Sequence, residues 1–249
     1  MSAPMLSVSG LRKAFGGIAA LRDLSFSVDR GEVLALIGPN GAGKTTCFNV
    51  IHGQLAPDAG EVRFEGRSIA GLPTHAIARR GVGRTFQVAA TFASMTVRES
   101  VILALLARDR GDARAATGLL PAASPEADAL LERVRIGDLA NAHCAALAYG
   151  DAKRVELALA LAGNPRLLLM DEPTAGMALN ARREMMQLAA GLVREGRKAM
   201  LFTEHDMDIV FEFADRIIVL DRGTVVATGS PASIRANPAV QAIYLGARK

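Results

Sequence analysis

Three glycines, a lysine and two threonines are gathered in Gly38-Pro39-Asn40-Gly41-Ala42-Gly43-Lys44-Thr45-Thr46, a stretch with the spacing GxxxxGK[ST]. Glycines so placed let successive backbone N–H groups turn inward around phosphate oxygens, and a helix opening behind them adds the positive end of its dipole. Lys44 would reach the β- and γ-phosphates of a nucleoside triphosphate, and the Thr45 hydroxyl would take one coordination position on Mg²⁺. Downstream, Leu167-Leu168-Leu169-Met170-Asp171-Glu172 sets two carboxylates at the end of an apolar run. Asp171 is expected beside the metal, and Glu172 is placed to orient or deprotonate an attacking water. An acid at that position could instead serve a helix dipole, but its pairing with a phosphate loop favours catalysis.

Leu147-Ala148-Tyr149-Gly150-Asp151 stands before an expected helix from Ala152 to Ala162. Gly150 near a helix amino terminus permits close approach to an anion. A plain turn with Asp151 as N-cap accounts for the same residues.

These groups need a scaffold that carries them to one edge. Val33-Leu34-Ala35-Leu36-Ile37, ending at Gly38, is a continuous apolar run, as expected for a strand buried on both faces. Leu167–Met170, Ala199–Phe202 and Ile217–Leu220 repeat that pattern, the last closed by the turn Asp221-Arg222-Gly223. Leu24, Phe26 and Val28 alternate with polar residues, and Glu61 to Phe64 alternates after the turn at Pro57 to Gly60. Helical stretches such as Leu179 to Glu195 lie between the buried strands, so a mostly parallel sheet with helices on its faces is expected. From Val97 to about Ala162 the chain is rich in Ala and Leu at helical spacing, interrupted by a loop at Gly111 to Pro125. That middle reads as a helical lobe inserted in the core.

The whole chain has 249 residues, 50% of them hydrophobic and 22% charged, which suits one large α/β domain and makes disorder unexpected. A net charge of +4 is too weak to indicate nucleic acid, and 4% aromatics without any Trp argue against a base-stacking platform. No uncharged run exceeds 13 residues, whereas a membrane-spanning helix needs about 20. Met1 to Gly10 has neither the basic cluster nor the apolar core of a signal peptide. Cys47 and Cys144 form no CxxC pair, so a reducing cytoplasm is the expected setting.

With these motifs in this order along nearly its whole length, the chain resembles the nucleotide-binding subunit of an ATP-binding-cassette transporter. The resemblance implies an α/β fold with a P-loop core on a mostly parallel sheet, an antiparallel β subdomain and an inserted α-helical lobe. Residues 1–249 would form a single cassette, with the lobe at 88–163. Phe15 matches an aromatic that stacks on adenine, and Gln87 a glutamine that contacts Mg²⁺ and water and links the two lobes. Ala148, Tyr149 and Gly150 fall in the family signature, and His205 matches a switch histidine at the γ-phosphate. Catalysis would rest on Lys44, Glu172 and His205, and the metal on Thr45, Gln87 and Asp171.

Finer features resemble the ATP-binding subunits of branched-chain amino acid importers: Ala148 to Arg154, Thr174 to Met177, Thr203 to Asp208, and the tail Ile243 to Gly246. Two positions depart from the general family pattern. Ala148 replaces a serine whose hydroxyl would face the γ-phosphate, and Ala178 stands where an acidic or amide residue is usual.

The resemblance implies ATP and Mg²⁺ as cofactors, a second ATP-binding subunit, integral-membrane permease subunits and, indirectly, a periplasmic or extracellular solute-binding protein. No nucleic acid is expected. The place would be peripheral, on the cytoplasmic face of the membrane. The uncharged strip Val88 to Thr96 is expected to help receive a cytoplasmic helix of the permease, the lesser alternative being that Phe92 and Met95 fill the lobe's core. Two other readings remain: a soluble cassette ATPase acting on nucleic acid or ribosomes, and a transporter ATPase for another cargo. A P-loop GTPase or kinase is disfavoured, since the chain has no NKxD segment.

Overall fold

The computed structural model describes residues 3–85, 94–109 and 123–245. Gln87, the strip from Val88 to Ala93, most of the expected 111–125 loop and Gly246 lie outside the described residues.

The strands are β1 (Leu6–Phe15), β2 (Ile18–Val28), β3 (Val33–Ile37), β4 (Ala59–Phe64), β5 (Arg67–Ser68), β6 (Val82–Thr85), β7 (Leu167–Asp171), β8 (Ala199–Thr203), β9 (Arg216–Asp221) and β10 (Thr224–Gly229). The helices are α1 (Lys44–Ile51), α2 (Thr74–Arg79), α3 (Val97–Asp109), α4 (Pro125–Arg133), α5 (Tyr149–Ala162), α6 (Leu179–Glu195), α7 (Met207–Phe213), α8 (Pro231–Arg235) and α9 (Pro238–Leu245).

A six-stranded sheet has the order β10-β9-β3-β8-β7-β6. Neighbours from β9 to β6 run parallel, and β10 lies antiparallel to β9. A four-stranded sheet, β2-β1-β4-β5, is antiparallel throughout. The fold class expected from the sequence is the one observed.

Every residue of β3, β7 and β8 is buried. Because successive side chains of a strand point to opposite faces, each of these strands serves two cores. Val33, Ala35, Ile37, Leu168, Met170, Met200 and Phe202 face a core completed by α3 to α7. Leu34, Leu36, Leu167, Leu169 and Leu201 face a second core, under α1 and the antiparallel sheet. Between β6 and β7 the described residues carry α3, α4, two 3-10 turns and α5, with one isolated bridge between Thr96 and His143. Val101, Leu105, Leu131 and Val155 join these helices to the first core.

Three elements are not announced by the sequence. β1 mixes polar and apolar residues, β6 has only four residues, and β10 is half-exposed or exposed along its length. One boundary needs correction. α5 begins at Tyr149, three residues earlier than expected, because Ala148 adopts the extended N-cap conformation (φ −61°, ψ 151°). Asp151 is therefore a first-turn acid, favourable to the helix dipole, and not the N-cap.

Candidate functional site

The loop from Gly38 to Gly43 connects β3 to α1. At two of its glycines a side chain has no room. A Cβ on Gly38 would lie 2.2 Å from the Leu220 carbonyl oxygen, and one on Gly43 (φ +105°) would lie 2.5 Å from that of Ala20. Gly43 is the N-cap of α1, which carries no acid in its first turn, so the positive end of the helix dipole stays uncompensated by any side chain there. Lys44 is buried and donates from Nζ to the carbonyls of Gly38 at 2.7 Å and Pro39 at 3.2 Å. Burial lowers its pKa, while Glu172 and Asp171 act in the opposite direction and favour the ammonium. Cys47, fully buried three residues on, has its thiol pushed up to about 12 by desolvation and is chemically inert.

One cleft is lined by Phe15, Asn40, Gly41, Ala42, Gly43, Lys44, Thr45, Thr46 and Glu172. Phe15 ends β1 with 47% of its surface exposed, and the Lys13 ammonium lies 5.7 Å from its ring centroid. A flat exposed ring beside a phosphate loop is a surface on which a base can stack.

Asp171 ends β7, and Glu172, the next residue, lines this cleft. Parallel register sets Asp171 opposite Thr203, whose hydroxyl donates to Asp171 Oδ1 at 2.7 Å. Arg84 Nη2 donates to the other oxygen, Oδ2, at 3.3 Å. Glu172 leaves the strand in the left-handed region at φ +49°, an unfavourable conformation for a side-chain-bearing residue. Its backbone N–H donates to Thr203 Oγ1 at 3.0 Å, and its Oε1 lies 2.7 Å from His205 Nε2. Buried Glu204 ties the loops after both strands together: its Oε1 accepts from the Thr174 N–H at 2.9 Å and the Thr174 hydroxyl at 2.6 Å, and its Oε2 accepts from the His205 N–H at 3.2 Å.

Hard oxygen donors suited to Mg²⁺ are present in the Thr45 hydroxyl and the Asp171 carboxylate. Among the described residues no cluster of three or more His, Cys, Asp or Glu could cage a metal. Mg²⁺ commonly uses one or two carboxylates together with waters and substrate phosphates, so this sparse donor set fits it.

The structure thus brings together Phe15, the loop from Gly38 to Thr46, Asp171, Glu172 and His205. Ala148, Tyr149 and Gly150 do not line that cleft. They open α5, with Tyr149 50% exposed and its ring beside Gly176, where a Cβ would meet Tyr149 Cε1 at 3.3 Å. Ala178 is the N-cap of α6 and supplies no side-chain cap. Sequence reasoning misses Arg84, Thr203, Thr174 and Glu204 as site residues. The available signal is position: Arg84 lies three residues before Gln87, Thr174 two after Glu172, and Thr203 and Glu204 immediately before His205.

A phosphate-cradling loop facing a strand-borne pair of acids defines a P-loop nucleoside triphosphatase. The family profile described as "ABC transporter" matches residues 21–175, and one described as "Branched-chain amino acid ATP-binding cassette transporter" matches residues 224–249. The chain is 40% identical over 253 residues to the high-affinity branched-chain amino acid transport ATP-binding protein BraF of Pseudomonas aeruginosa, covering 99% of each chain. Among solved structures it is similar to the ADP conformation of MJ1267, an ATP-binding cassette of an ABC transporter, with TM-score 0.87, 30% identity and coverage of 98% of this chain and 100% of that one. It is also similar to a dimeric post-hydrolysis state of the ATP-binding cassette MJ0796 bound to ADP and Pi, with TM-score 0.76, 27% identity and coverage of 91% and 99%. The chain belongs to the ATP-binding cassette ATPases of ABC transporters.

Proposed function

We propose that this ATPase drives an importer for branched-chain or related hydrophobic amino acids, and that residues 1–249 act as one cassette with a helical lobe at 88–163. It works on the cytoplasmic face of the membrane with permease subunits, which receive cargo from a solute-binding protein. The cargo follows from the likeness to BraF and from the match at 224–249. Among the described residues no helix is long and apolar enough to cross a membrane, in keeping with a subunit that borrows its membrane path from partners.

The observation that carries the mechanism is the separation of two half-sites. The cleft holds a phosphate loop and Glu172, while Ala148, Tyr149 and Gly150 stand outside it at the amino end of a 14-residue helix. A second cassette, turned head to tail, would bring its own such helix end to the phosphates, where backbone donors suit an anion even with alanine at 148. Within each site Phe15 stacks on the base, and backbone N–H groups from Gly38 through Thr46 hold the phosphates with Lys44. Thr45 and Asp171, aided by Gln87, would hold Mg²⁺, which would supply neutralisation of charge on the phosphate oxygens. Glu172 takes the proton of the attacking water as the water oxygen bonds to the γ-phosphorus and the bond from that phosphorus to the bridging oxygen breaks, releasing ADP. His205, hydrogen-bonded to Glu172, orients the carboxylate and faces the γ-phosphate.

Glu172→Gln should retain nucleotide binding and slow hydrolysis by about two orders of magnitude or more, because only water activation is lost. It should also accumulate an ATP-bound dimer on gel filtration. Hydrolysis at the parent rate would remove Glu172 from the mechanism, and a monomer at saturating ATP would remove the paired half-sites.

A further inference from the structure

Arg84 enters the site from β6 and has none of the roles set out above. Its register opposite Leu169 turns its side chain to the face beneath α1, the face that also carries Asp171. The ion pair is almost wholly buried, with side chains 6% and 4% exposed and Nη2 3.3 Å from Asp171 Oδ2. The guanidinium is held from its other side as well. Nη1 donates to Asn49 Oδ1 at 2.8 Å and Gln54 Oε1 at 2.9 Å, and the Phe48 ring centroid lies 5.7 Å from Cζ. A fixed cation therefore sits against the carboxylate that a second cation has to use. Two cations sharing one carboxylate out of bulk water repel each other strongly.

We propose that Arg84 is a positioning residue: a tethered counter-cation that orients Asp171 and sets the site's affinity for Mg²⁺ by sharing its charge. The inference rests on the reading that Asp171 serves a magnesium–nucleotide complex. A neutral side chain at position 84 leaves the buried carboxylate with only the Lys44 charge and the Thr203 hydroxyl to offset it, which weakens the protein without metal and strengthens its attraction for Mg²⁺. The Phe48, Asn49 and Gln54 contacts anchor the guanidinium to α1 and the turn behind it, independently of Asp171.

The test is a Mg²⁺ titration of fluorescent ATP-analogue binding to the intact parent, Arg84→Gln and Arg84→Lys proteins, with thermal unfolding in ATP plus chelator and in ATP plus Mg²⁺. The Mg²⁺ midpoint should fall about three- to tenfold in Arg84→Gln and stay within about twofold of the parent in Arg84→Lys, which keeps the charge. Mg²⁺ should also raise the Tm of ATP-loaded Arg84→Gln more than that of the parent. A natively folded Arg84→Gln protein with an unchanged or higher midpoint overturns the proposal. So does one that stays unfolded even with ATP and Mg²⁺, because the guanidinium would then be structural. A parent whose nucleotide binding ignores Mg²⁺ would instead sink the metal reading beneath it.

Discussion

His52 shows how a single buried group makes stability depend on pH. It caps α1 at 3% exposure, and burial, aided by the nearby Arg84 charge, lowers its pKa from 6.5 to about 4. The folded chain thus keeps a neutral imidazole where the unfolded chain would take up a proton. The stability this contributes is complete above pH 6.5, is lost as pH falls from there toward 4, and changes no further below. At about 1.4 kcal/mol per pH unit, the full effect is of order 3 kcal/mol. Urea unfolding of the parent should lose about 2–3 kcal/mol more than His52→Gln between pH 6.5 and pH 4.5; equal losses would show that the imidazole is not held neutral. Nothing in the sequence marks His52, because a histidine at a helix end gives no sign of its burial. Lys44, Thr45, Asp171 and Glu172 are readable because their chemistry depends on contiguous spacing. Arg84 and Glu204 are not, because their partners lie 87 and 30 residues away in sequence and meet them only through strand register and loop packing.

At the scale of elements, the phosphate loop works only because the neighbouring backbone crowds it. Gly43 has a left-handed φ and no space for a methyl group beside the Ala20 carbonyl. Gly43→Ala should cost about 2 kcal/mol or more, which for a chain of this size lowers Tm by roughly 4 °C or more. Gly191 gives a control: it lies inside α6, and a Cβ added there would meet nothing within 4 Å, so Gly191→Ala should raise stability by about 0.5–1 kcal/mol. Differential scanning calorimetry of both variants checks the pair, and similar shifts would contradict the steric account. The buried strands β3, β7, β8 and β9 announce themselves as apolar runs. β6 and β10 do not: a four-residue strand and an exposed edge strand take their conformation from the ladder they join, a tertiary effect that local propensity does not report.

For the whole molecule, the decisive feature is that β3, β7 and β8 send alternate residues into two different cores. Neither core owns the strands it depends on. Loss of packing on one side would leave the other facing water across a single layer of backbone, so the free energy of opening either core approaches that of opening both. Native-state hydrogen exchange should therefore find the amides of β3, β7 and β8 among the slowest, exchanging only through global unfolding, with β10 and α2 opening locally at much lower cost. Two well-separated exchange plateaus within β3, β7 and β8 would contradict this. The nucleotide loop and the two acids hang from the carboxyl ends of those same strands. The groups that face the nucleotide are thus anchored to the part of the chain that solvent deuterium should reach last.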